Sequence, residues 1–209
     1  ILILSSRLYF GWTGDVGFLR QQINRLRLAL RFQQTVMGGL EHSHIVVPWV
    51  GHDGRSGLEV GPDGAKTYHP GRGIGNNYWD LLPFGGHDLY ATNQYHASLL
   101  ALAELEEAIR EHPEWDVPLG ALSQSPSSLR AHAAEVRRVA NDLFWDEEKG
   151  RFVGWIDMEG RRYDYGFTFV NLDAIWYGLA SDEHARSILG WLDGERTIEG
   201  DDSVGEDIY

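Results

Sequence analysis

Gly75-Asn-Asn-Tyr78-Trp79-Asp80-Leu-Leu-Pro83-Phe-Gly-Gly-His87-Asp88 is a Gly- and Pro-interrupted loop that sets a carboxylate directly after two aromatics. A long helical pattern follows, from about Ala91 to Glu111. Ala97, Leu100, Ala103 and Ile109 give its buried stripe, and Glu104, Glu106 and Glu107 its solvated side. Loops carry chemistry more often than cores do. Aromatic rings stack on a pyranose face, and an acid in a partly apolar pocket has its pKa raised towards general-acid duty. A helix-capping Asp beside two core aromatics fits the same residues.

Further helices flank this stretch. Upstream, Leu19, Ile23, Leu26 and Leu30 recur with helical spacing from Phe18 to Met37, with Arg20, Arg27 and Arg31 on other faces, and Gly38-Gly39 ends the pattern. The chain before it reads only as a short apolar start. A long Gly-rich loop then runs up to Gly75, and connections of that length are usually functional. Downstream, Pro113 stops the Ala91–Glu111 helix. Ser125-Pro126 opens another helix that continues through Leu143. Arg151 to Asp157 and Arg161 to Tyr165 read as a small β-hairpin closed at Met158-Glu-Gly160. Thr168 to Leu179 is helical again, and Ser181 caps a last helix that ends near Gly194. The periodicities predict an all-α fold of helical hairpins with one small β-hairpin, in a single domain over residues 1–209.

Composition narrows the function. The net charge of −13 speaks against a nucleic-acid surface and an anionic membrane face, and suits a neutral or cationic ligand better. No apolar run approaches the length of a membrane span. Ile1-Leu-Ile-Leu4 is too short for a signal-peptide core and lacks preceding basic residues, so the cytoplasm is favoured and the compartment otherwise open. With no cysteine there is no disulfide or thiolate chemistry. Neither end carries a starting or terminating signal, and a fragment of something longer is expected.

Tyr78-Trp-Asp-Leu-Leu-Pro-Phe-Gly-Gly86, followed by an Ala- and Leu-rich helix, resembles the six-hairpin (α/α)₆-barrel glycoside hydrolases, in particular the clan of the trehalases and family 63 α-glucosidases. Phe144-Trp-Asp-Glu-Glu-Lys-Gly-Arg-Phe152 is similar to the turn after a barrel helix. Tyr163-Asp-Tyr-Gly-Phe-Thr-Phe-Val-Asn-Leu-Asp-Ala-Ile175 is similar to the entry of a later inner helix. The resemblance implies a partial (α/α)₆ toroid, about half of the twelve helices of a complete barrel, with Asp80 as general acid. The family's general base is a Glu near the end of the barrel, and no stretch here matches it. A half-barrel exposes its inner apolar faces, so a partner is expected, either the missing half or a second copy.

Inverting hydrolysis needs a second carboxylate roughly 6.5–9.5 Å from the acid. Asp53 in Gly51-His-Asp-Gly-Arg55, Asp164 and Glu206 are candidates, each also readable as a turn-former, a sugar-hydroxyl ligand or an exposed charge. Trp49, Tyr78 and Trp79 are candidate stacking platforms, and His52 and Arg55 candidate hydroxyl-binding groups. Tyr95 and His96 are better explained by packing. Gly71-Arg-Gly-Ile-Gly-Asn76 lacks the Lys and preceding strand of a phosphate loop. The acidic tail around Asp201 matches no EF-hand, and His42-Ser-His44 is too short to define a zinc site. The expectation is a glycosidase acting on a small neutral sugar, without metal or organic cofactor. The alternative is a non-catalytic carbohydrate-binding or assembly module.

Overall fold

The computed structural model describes residues 1–47, 58–68 and 85–200. Six longer helices form three consecutive hairpins: α1 (Leu2–Thr13) with α2 (Val16–Thr35), α4 (Leu89–Glu111) with α5 (Pro126–Phe144), and α6 (Thr168–Trp176) with α7 (Asp182–Leu192). A single turn, α3 (Gly39–His42), follows α2. The first helix of each hairpin packs on the next, α1 on α4 and α4 on α6, and the second helices lie on their own partners. Three hairpins in such a row are half of a six-hairpin toroid. The fold is all-α, a partial (α/α)₆ toroid.

Local chemistry sets the helix boundaries. Asp15, Asp88, Ser125 and Ser181 each accept a hydrogen bond from a first-turn amide and so satisfy a donor that the helix leaves open. Pro126 stands at the start of α5, where its missing N–H costs nothing. Gly14 ends α1 with a φ of 62°, a left-handed conformation in which a side chain would be strained.

Helix α1 is absent from the sequence reading for a physical reason. Its residues are apolar nearly all round, it has no side-chain cap, and it lacks the charged face that reveals an amphipathic helix. The assignment of Glu106 to a solvated side needs correcting. Glu106 and Arg27 are completely buried, because they face each other across α2 and α4. An ion pair at the seam places charge where periodicity predicts water.

The strands form a collar at one end of the helices. β1 (Val46–Val47), β4 (Gly86–Asp88), β7 (Trp155–Ile156) and β8 (Arg162–Tyr163) make one antiparallel sheet in that order. The expected hairpin is present as β7–β8 and is shorter than the pattern implies. Arg151–Phe152 (β6) pairs back with Trp145–Asp146 (β5) instead. A separate hairpin joins β2 (Leu58–Val60) to β3 (Lys66–Tyr68). Asn171, fully buried on α6, accepts from Phe152 N and donates to the carbonyls of Phe152 and Phe167, which ties the collar to the helix row.

Large apolar side chains stand exposed at both ends of the row. Leu8 and Trp12 of α1 and Leu28, Phe32 and Val36 of α2 face outwards at one end, and Leu172 and Trp176 of α6 at the other. Trp12 is 89% exposed and Trp176 83%, far beyond what a Trp ordinarily shows to water. Among the described residues no helix is long and apolar enough to cross a membrane.

Candidate functional site

The collar brings the connection between β1 and β4 back to one point. Val47 pairs with Gly86 and Val46 with His87, so the chain leaves β1 and re-enters at β4 on adjacent strands. Asp88 N donates to Ile45 O at 3.1 Å and Leu89 N to Gly154 O at 3.1 Å, holding the entry to α4 from both sides. Asp88 itself is buried, and its Oδ1 accepts from Ala91 N at 2.9 Å. Trp49, His52, Asp53, Arg55, Tyr78, Trp79, Asp80 and Glu206 lie outside the described residues. The structure therefore describes the base of the connection and the surfaces around it.

Beside this base sit His42, His44 and His87. His44 Nε2 is 2.7 Å from His87 Nδ1, and His44 Nδ1 is 2.8 Å from the carbonyl of His42. A carbonyl only accepts, so His44 Nδ1 carries the proton; Nε2 then accepts, and His87 Nδ1 donates to it. Burial drives the pKa of His44 down to about 4, helped by the neighbouring His87 and His42 and opposed by the bond to the His42 carbonyl. His87 is lowered too, first by burial and then by His42. At neutral pH the pair is uncharged. Among the described residues no group of three His, Cys, Asp or Glu side chains could hold a metal ion.

Asp164 is fully engaged. Lys149 Nζ lies 2.9 Å from its Oδ2, Arg151 Nε 3.1 Å from both oxygens, and Gly166 N donates to Oδ1 at 2.9 Å. Its side chain is 6% exposed, and Arg151 in turn stacks over Trp191 at 4.5 Å. A carboxylate bridging two cations is a clamp between the β5–β6 turn and the approach to α6, with both oxygens occupied.

A carboxyl absent from the sequence reading stands on the inner row. Asp173 is the single charged residue of α6, and Gln94 Nε2 of α4 donates to its Oδ2 at 3.3 Å. Burial raises its pKa, and the bond from Gln94 only partly offsets this. Tyr90 contributes a neighbouring ring that meets Phe169 edge-on at 5.7 Å, and burial followed by the charge of Asp173 raises the pKa of its phenol. The signal in the sequence was a lone acid in an otherwise uncharged helix. A partly buried carboxyl with a raised pKa is the kind of group that functional sites collect.

Adjacent to Tyr90 and Gln94, a cavity of about 480 Å³ opens between α1, α2 and α4. Its wall is mainly apolar, with Leu2, Ile3, Phe32, Met37, Ile45 and Ala91 among its residues. Tyr95 and His96 are buried in the core: Tyr95 Oη meets His132 Nε2 at 2.7 Å, and burial lowers the pKa of His96 to about 4.

No protein-family profile matches the chain. No curated protein is significantly similar to it in sequence. Among solved structures it is similar to the family 78 rhamnosidase of Bacillus sp. GL1, with a TM-score of 0.60 and 20% identity. The match covers 93% of this chain and 17% of the rhamnosidase. At that identity the likeness is one of fold, and the fold is one that a glycosidase uses.

Proposed function

We propose that the chain is the acid-bearing part of a glycoside hydrolase toroid that cleaves small neutral glycosides with inversion. Asp80 protonates the departing glycosidic oxygen, and a second carboxylate activates the water that attacks from the opposite face of the sugar. Trp49, Tyr78 and Trp79 stack on sugar rings, and His52 and Arg55 bind hydroxyls. The resemblance to the trehalases and family 63 α-glucosidases in Tyr78-Trp-Asp-Leu-Leu-Pro-Phe supports this reading, together with a fold similar to part of a rhamnosidase.

One observation carries it. The Val47–Gly86 pairing gathers both ends of the connection that holds Asp53 and Asp80 at the start of α4, the helix whose Gln94 bonds the raised-pKa carboxyl of Asp173. A shared anchor is what a pair of cooperating carboxylates needs. Of the base candidates, Asp53 shares that connection. Asp164 is committed to Lys149 and Arg151, and a base on the remaining hairpins of a complete toroid is the other source.

The second reading is a carbohydrate-binding or assembly module. The exposed Trp12 and Trp176 favour it, because they mark surfaces built for contact. A panel of aryl glycosides separates the two. Cleavage that Asp80→Asn lowers by at least ~10²-fold, with an unchanged melting transition, supports the hydrolase. Sugar binding without cleavage of any member supports the module.

A further inference from the structure

The cavity between α1, α2 and α4 has a feature that packing does not account for. Gln33 and Gln94 both line it, and Oε1 of each is buried with no hydrogen-bond partner among the described residues. The amide nitrogen of Gln94 is committed to Asp173, which fixes the orientation of the amide and leaves its oxygen as an open acceptor. A buried acceptor without a donor is costly, and such groups are rare unless something supplies the donor. The remaining wall is mainly apolar, and the volume of about 480 Å³ lies within the roughly 300–1,000 Å³ of small-molecule sites.

We infer that this cavity binds a small neutral alcohol or phenol, whose apolar body contacts Phe32, Met37 and Ile45 and whose hydroxyl donates to Gln33 or Gln94. Gln94 Oε1, oriented by the bond of its amide nitrogen to Asp173, is an acceptor, so a ligand that satisfies it must bring a donor. An ether or an ester of the same shape leaves the acceptors unmet. The inference holds whether or not the chain hydrolyses glycosides, because the acceptors it rests on, Gln33 and Gln94, are neither the proposed acid nor a proposed base.

Titration with 4-ethylphenol and 4-ethylanisole, followed calorimetrically and by ligand-observed NMR, tests it. The two share an apolar body, and the second has its hydroxyl capped. The phenol should bind at least about fivefold more tightly, the equivalent of one net hydrogen bond. Gln33→Leu and Gln94→Leu should each shrink that preference while the anisole still binds, and Ala91→Phe should abolish binding of both. Among the described residues the hydrogen bond to Asp173 comes from Gln94 and not from Gln33, so the Gln33 variant stays informative if Gln94→Leu fails to fold. Equal affinities in the parent protein, a preference that survives both Leu variants, binding that survives Ala91→Phe, or no binding of either ligand at millimolar concentration would each overturn the inference.

Discussion

Arg27 and Glu106 meet in a two-pronged ion pair with neither side chain exposed: Nε to Oε1 at 2.6 Å and Nη2 to Oε2 at 3.1 Å. Arg110 and Ser123 complete the carboxylate, and Asn24 Oδ1 and the Pro118 carbonyl accept from Nη1 of Arg27. Burial alone would raise the pKa of Glu106. The bonds from Arg27, Arg110 and Ser123, together with the charge of Arg27, outweigh it and hold the carboxyl below its ordinary range. Removing one partner strands the other charge in the core. Glu106→Ala should therefore destabilise the fold by about 3–5 kcal/mol in chemical denaturation. Removing an exposed pair such as Arg138–Glu135 should leave stability close to that of the parent, because water screens it.

Acid should weaken the fold well above the carboxylate range. His44 and His96 are held neutral to about pH 4 by burial, whereas an unfolded imidazole protonates near pH 6.5. Below about pH 6.5 the unfolded chain therefore binds protons that the folded chain refuses, and stability falls as pH drops from there towards 4. Calorimetry at pH 7 and pH 5 should show a lower melting temperature at pH 5. His44→Gln should flatten the dependence by about one proton.

Asp173 has the opposite sign. Its carboxyl is harder to ionise in the folded chain than in the unfolded one, so it costs stability once pH exceeds the ordinary carboxylate pKa. Asp173→Asn keeps the shape, removes the buried charge and leaves an acceptor for Gln94. The variant should melt at the same or a higher temperature at pH 7. A clear loss of stability would show that the charge is satisfied in a way that its burial does not reveal.

The exposed apolar ends should govern association. If they meet copies of this chain or the remaining hairpins of a toroid, burying on the order of 1,000 Å² or more, light scattering of the chain should give a dimer or larger. Trp12→Glu and Trp176→Glu should shift it towards monomer. A stable monomer that the two charged variants do not alter would mean that these faces are tolerated in water.

Asp164→Asn separates a clamp from a base. The substitution leaves Lys149 and the buried Arg151 facing a neutral amide, so stability should fall by about 1–3 kcal/mol. If aryl glycosides are cleaved, turnover per folded molecule should stay near that of the parent. A drop in turnover without a drop in melting temperature would return Asp164 to the candidate bases.

Every longer helix but α1 is legible in the sequence: α2, α4, α5, α6 and α7 announce themselves through spacing, and α5 and α7 also through the caps Ser125 and Ser181. Helix α1 is silent because both its faces are apolar. Beyond the β7–β8 hairpin the collar is illegible for another reason. Strands of two or three residues carry no periodicity, and the partners of Gly86 and Trp155 lie far away in the chain. The proposed acid stood out through its aromatic neighbours. Asp173 did not, since its character comes from burial and from Gln94 on another helix, and neither is written in the residues around it.

The pairing of Val47 with Gly86 has a consequence for how such a protein can diversify. Once two strands fix the gate of a connection, its length becomes a weak variable: doubling it adds only about 0.6 kcal/mol of closure entropy. Residues 48–85 can then be lengthened, shortened or exchanged while the helices below remain indifferent. The connection is free to drift on a scaffold that stays still.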